Sequence, residues 1–140
     1  MPTDMETSSP TRGQLERTLS QRIQAVYRDQ LGHQPSKVAC QLFDTKVVII
    51  VENAVTQPEQ FLANNGHEEL AEQIRSDLDE TIQQQLQVLI EEVIGISVID
   101  ILSDAKLDTG RTGTIVILAE EPQFRDSSSS SKRQSGNASN

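Results

Sequence analysis

From Gly66 to Gly95 the apolar residues Leu70, Ile74, Leu78, Ile82, Leu86, Leu89 and Val93 recur every three or four positions, with Glu, Asp and Gln between them. This spacing predicts one long amphipathic helix whose stripe the rest of the chain must cover. At 1.5 Å per residue the helix would be roughly 40 Å long, so part of it is expected to project or to meet another subunit. Upstream, Leu15, Leu19, Ile23, Val26 and Tyr27 keep the same spacing between Gly13 and Leu31, and Gly32 is placed to close that helix in the left-handed conformation. Lys37 to Phe43 and Lys46 to Asn53 change to β-branched and apolar residues around Asp44-Thr45, which predicts a hairpin. Thr56-Gln57-Pro58-Glu59 has the form of a capping box and should open a short helix running to about Ala63. After Gly95, Ile96 to Leu102 and Thr114 to Glu120 read as two more strands, joined by a glycine-containing connection from Asp104 to Gly113.

The order helix, strand, strand thus occurs twice. An offset of 63 residues lays Leu15 on Leu78, Leu19 on Ile82, Ile23 on Leu86 and Gly32 on Gly95, while a slightly different offset pairs Val48 with Val116. The expected fold is α+β: a four-stranded, mainly antiparallel sheet from a duplicated helix-strand-strand unit, with the long helix and a short extra helix. Val47 to Val51 and Ile115 to Ala119 are continuously apolar, however, whereas a strand with one wet face should alternate. Both faces of these strands therefore need cover. The two main helices cover one, which leaves the other to the short helix or to a second subunit. A homodimer is the expectation, with Val48 or Val116 near the contact.

The flanks change composition. Residues 1–12 are rich in Ser, Thr and Pro and are expected to be a disordered lead; 125–140, with five serines from Ser127 to Ser131, should be a disordered tail. One domain is expected between them, 13–124. Its longest apolar run falls far short of the roughly 20 residues of a membrane-spanning helix, and no secretory signal pattern opens the chain. These features predict a cytoplasmic protein with no direct membrane insertion. A net charge of -9 disfavours nucleic acid, since no basic patch offsets it.

Chemistry is sparse. Cys40 is the single cysteine, and with only His33 and His67 beside it there is no metal-ligand cluster. Cys40 reads as a small buried strand residue with no base in reach. The adjacent acidic pairs Glu68-Glu69, Glu91-Glu92 and Glu120-Glu121 do not share a face, so no paired-carboxylate site arises. No catalytic residue, cofactor or metal is expected, and the chain is read as not an enzyme. Contacts to a ligand or partner fall on Gly32, His33 and Pro35 at the first helix end, on Asp104 and Arg111 in the second hairpin, and on Arg75. Arg75 is the one base of the long helix, expected to make surface ion pairs with Glu72 and Asp79.

Several landmarks in order carry a resemblance. They are Gly32-x-x-Pro35, the strands Val38 to Phe43 and Val47 to Val51, Thr56-x-Pro58-Glu59-x-Phe61-Leu62, Gly66 with Glu68-Glu69, then Arg75, Gly95 and Asp104. Together they resemble the MpsC-like family, named for component C of a sodium-translocating, membrane-potential-generating system, over about Leu15 to Ala119. Where that family has a basic residue and a glycine in the first connector, this chain has His33 and Gln34. The resemblance implies a non-enzymatic accessory or regulatory protein, peripheral to a membrane ion or inorganic-carbon transport complex at the inner face of a membrane. The alternative is a small-molecule- or anion-sensing module, with its ligand at the Gly32 to Pro35 and Asp104 to Gly113 loops.

Overall fold

The computed structural model describes residues 10–125. Helix α1, Arg12–Leu31, opens on a capping box: the Thr11 hydroxyl accepts from the Gln14 amide at 3.2 Å, and the Gln14 side chain accepts from the Thr11 amide at 2.9 Å. It closes at Gly32, which at φ 62° takes the left-handed conformation that glycine adopts without steric cost. Strands β1, Lys37–Phe43, and β2, Lys46–Glu52, form the first hairpin. Helix α2, Gln57–Asn64, leads into the long helix α3, Glu68–Ile94, and then strands β3, Val98–Lys106, and β4, Arg111–Leu118, close the chain. The expected lead and tail lie outside the described residues apart from 10–12 and 125. Within those, the Arg125 amide donates to the Pro10 carbonyl at 2.9 Å.

All four strands form one antiparallel sheet in the order β1-β2-β4-β3. Alternation decides which residues enter the core. Val38 and Leu42 of β1, Val47, Ile49 and Val51 of β2, and Val116 and Leu118 of β4 point to one face. There they pack with Leu19, Ile23 and Tyr27 of α1 and with Ile82, Leu86, Leu89 and Ile90 of α3. The fold is the expected α+β arrangement, with both main helices on one side. Helix α2 lies against α3, and among the described residues no helix lies over the opposite face of the sheet.

Four expectations need correction. Strand β4 starts at Arg111 and β3 runs on to Lys106, so the connection is the tight turn Leu107 to Gly110 rather than a loop from Asp104 to Gly113. Ladder pairing of Ala105 with Thr112 and of Lys106 with Arg111 satisfies backbone groups that polar side chains had made look like loop. Val116 is fully buried on the helix side, and its neighbours Ile115 and Ile117 face outward. The sheet does alternate; its outer positions are simply apolar as well. Leu78 is only half-buried, because the amino-terminal half of α3 turns Ala71 and Arg75 inward against α2, while Ile82, Leu86, Leu89 and Ile90 meet the core.

The fourth correction concerns the repeat. An even offset pairing Val48 with Val116 equates an outward residue with an inward one, which a period of two forbids. The offset of 63 that superposes the helices also carries Val38 onto Ile101 and Leu42 onto Ala105. The turn Asp44 to Thr45 has two residues where Leu107 to Gly110 has four, so beyond the turn the offset becomes 65. It then carries Val47, Ile49 and Val51 onto Thr112, Thr114 and Val116, all inward. In this frame Arg12, the first residue of α1, corresponds to Arg75. Helix α2 and the first two turns of α3 are therefore an insertion between two like units.

Candidate functional site

The insertion makes the one part of the fold that the first unit lacks, and it is anchored by a buried arginine. Arg75 is 5% exposed and Glu59 1%. The guanidinium donates through Nε to Glu59 Oε1 at 2.7 Å and through Nη2 to Glu59 Oε2 at 2.8 Å, the two-pronged geometry that suits a planar fork. Its Nη1 donates to Asp79 Oδ1 at 3.0 Å, and Nη2 also reaches the Ala54 carbonyl at 3.3 Å. Glu59 serves twice, since its Oε2 accepts from the Thr56 amide at 3.1 Å and from the Thr56 hydroxyl at 2.7 Å. One carboxylate thus caps α2 and clamps α3 to it.

Electrostatics follow from this enclosure. Burial works against the charged guanidinium of Arg75, but hydrogen bonds and charge from Glu59 and Asp79 outweigh it and raise its pKa. Burial raises the Asp79 carboxyl above its usual range, and the Arg75 bond offsets this only in part. Behind the cluster, burial also lifts the Tyr27 phenol, against a hydrogen bond with Thr112. Every nitrogen of the Arg75 guanidinium and both carboxylate oxygens of Glu59 are hydrogen-bonded, so the cluster holds α2 against α3.

Around Arg75 opens a cleft of about 810 Å³ between the start of α3 and the end of β3. Glu68, Glu72, Asp79, Glu80, Asp104 and Asp108 line it, against Arg75 and Lys106 on the basic side. With the arginine neutralised by its own partners, this surface attracts positive charge and repels anions. Phe61 and Leu70, 65% and 49% exposed, stand on the same insertion.

The backbone at Asn53–Ala54 ties the expected contact residues together. His33 Nε2 lies 2.6 Å from the Asn53 carbonyl, the Ala54 amide donates to the Gly110 carbonyl at 2.6 Å, and Arg75 reaches the Ala54 carbonyl. Thus the Gly32 to Pro35 connector, the second hairpin turn and Arg75, distant from one another in sequence, meet at one end of the sheet. Gly32 closes α1, and Pro35 is buried. Arg111 is spent on Glu52 at 2.9 Å, and Asp104 lies on the cleft wall. Arg75 corrects the expected surface pairing. Its bond to Asp79 holds, yet its main partner is Glu59, and Glu72 lines the cleft without bonding it. The signal was present, for Arg75 stands seven residues before Ile82 and fourteen before Leu89, on the buried stripe itself.

Two like units joined by an inserted helical corner, with a buried ion cluster at the join, define the class of domain. The chain belongs to the MpsC family, described as Na+-translocating membrane potential-generating system (MpsC), whose family model matches residues 11–120. No curated protein and no solved structure matches the chain. Among the described residues no helix is long and apolar enough to cross a membrane, and no group of His, Cys, Asp and Glu could hold a metal ion.

Proposed function

We propose that this protein is a non-enzymatic accessory or regulatory subunit of the sodium-translocating system for which its family is named. It acts from the cytoplasmic side, peripheral to the membrane, and works as a homodimer. The observation that carries the reading is the family match over nearly all of the folded domain, 11–120. Supporting it, the α2–α3 corner presents Phe61 and Leu70 beside an acid-lined cleft, a mixture of apolar and charged groups suited to a protein contact. Cross-linking in cells followed by recovery from membranes tests it. A transport protein joined through residues near Phe61 and Leu70 is expected. Recovery of no membrane protein would count against the proposal.

The cleft favours a second reading, a small-molecule-sensing module. Its acidic lining selects a cationic ligand rather than the anion that the loops alone suggest. A thermal-shift screen of amines, metal cations, nucleotides and inorganic anions separates the two, because only a ligand that binds the folded state raises the melting temperature.

A further inference from the structure

The sheet face that no helix covers has an apolar centre and charged ends. Its outward residues lie in rows set by the strand registers. Val48, Ile115 and Leu102 form one central row, and Ile50, Gly113 and Asp104 form the next. Lys46, Ile117 and Asp100 lie beyond the first row, and Glu52, Arg111 and Lys106 lie beyond the second. Ile115 is 43% exposed and Leu102 53%, and the two pair across β4 and β3 as adjacent apolar side chains rimmed by charge, the pattern of an interaction surface.

We infer that the occupant of this face is a second copy of the chain, stacked sheet to sheet about a two-fold axis that runs across the strands between the two central rows. The inference rests on the homodimer reading and supplies its geometry. Such an axis lays each strand over its own counterpart and exchanges the rows end for end. Lys46 then faces the partner's Glu52 and Asp100 faces the partner's Lys106, so the end positions of β2 and β3 meet opposite charge, while Ile117 lies over the partner's Arg111, itself held by Glu52 of its own chain. In the centre Ile50 meets the partner's Val48, and at the β3 edge Leu102 lies over the partner's Asp104. Ile115 enters the gap left by the partner's Gly113, where among the described residues the one atom within 4 Å of a would-be Cβ is Ile50 Cδ1 at 3.6 Å. The other in-plane axis, along the strands, lays Glu52 on the partner's Arg111 but sets Lys37 of the same row against the partner's Lys106 and leaves Lys46 and Asp100 without opposite charge. An anionic lipid surface fits poorly, since Glu52, Asp100 and Asp104 stand among the Lys and Arg of this face and the chain as a whole carries a net charge of -9. A small rotation about the stacking direction accommodates the roughly 30° angle of aligned sheets.

Gly113 lies outside the left-handed region and has ordinary room for a Cβ, so Gly113→Ile should fold. In the dimer it places two isoleucines against each other. Alone, Gly113→Ile or Ile115→Gly should weaken dimerisation at least about tenfold, a modest figure for one mismatched knob repeated twice. An equimolar mixture should recover a heterodimer within about threefold of wild type, because each Ile then faces a Gly. Lys46→Glu and Glu52→Lys provide a second pair with the same logic, each dissociating alone and associating when mixed. Sedimentation equilibrium of the full chain reads the mass, and circular dichroism melting confirms that every variant folds. A wild-type monomer at micromolar concentration overturns the geometry and the homodimer reading together. A stable dimer in which neither mixture restores association overturns the geometry alone and leaves that reading standing.

Discussion

Replacing Arg75 with Met keeps the length and apolar stem of the side chain and removes the guanidinium. Four hydrogen bonds go with it: two to Glu59, one to Asp79 and one to the Ala54 carbonyl. Glu59, 1% exposed, keeps only its two Thr56 donors and becomes a buried charge without a counter-ion. Breaking a buried pair in this way costs about 3–5 kcal/mol. For a domain of this size, at roughly 4 °C per kcal/mol, the melting temperature should fall by about 12–20 °C. Adding Glu59→Met should recover part of the loss at neutral pH, since an apolar pair can replace a buried ionic one. Chemical denaturation of wild type, Arg75→Met and the double variant at pH 7 gives the three stabilities. A cost below about 1 kcal/mol for Arg75→Met, or no recovery in the double variant, would refute the account of a buried clamp.

Leu86→Ala should cost about 2–5 kcal/mol, because the side chain is 3% exposed in the core, while Leu78→Ala, half-buried on the same helix, should cost visibly less in the same urea titration. Asp79→Asn should gain on wild type as pH rises from 4 to 7: burial raises the folded pKa, so protonation supports the wild-type fold below the unfolded value and that support is lost through the folded one. Melting curves across that range check the sign. Burial pushes the Cys40 thiol up to about 11, so its reaction with a disulfide reagent at pH 8 should run at least roughly a hundredfold slower than that of a free thiol.

Periodicity carried much of this structure and failed where two side chains had to be read together. The stripe Ile82, Leu86 and Leu89, the glycine closures at Gly32 and Gly95 and both hairpins follow from spacing and turn chemistry that are local in the chain. Leu70 and Ile74 misled because they continue an apolar pattern along a helix whose buried face has already turned to Ala71 and Arg75. Helix α2, packed on that face, selects an arginine by offering Glu59 sixteen residues away. Pairings across such separations are set by tertiary packing, and a local pattern does not encode them. The same holds for the cleft. Glu68, Glu72 and Asp79 look like a solvated helix face until the end of β3 places Asp104 and Asp108 opposite them.

The repeat explains why the candidate site lies where it does. Two like units, paired through β2 and β4, bury one shared core, and neither needs α2 or the first turns of α3 to complete the sheet. Such an insertion would be held by little more than its own helical hydrogen bonds, because it adds little apolar burial: Phe61 and Leu70 are exposed and Ala71 is small. The Arg75 clamp supplies the missing attachment. It joins the insertion to Ala54, and Ala54 joins the turn at Gly110, so the cleft wall is fixed to the second hairpin through three consecutive polar contacts. A buried arginine at the first position of the second unit is therefore what converts a duplicated scaffold into one with a single distinct, acid-lined corner.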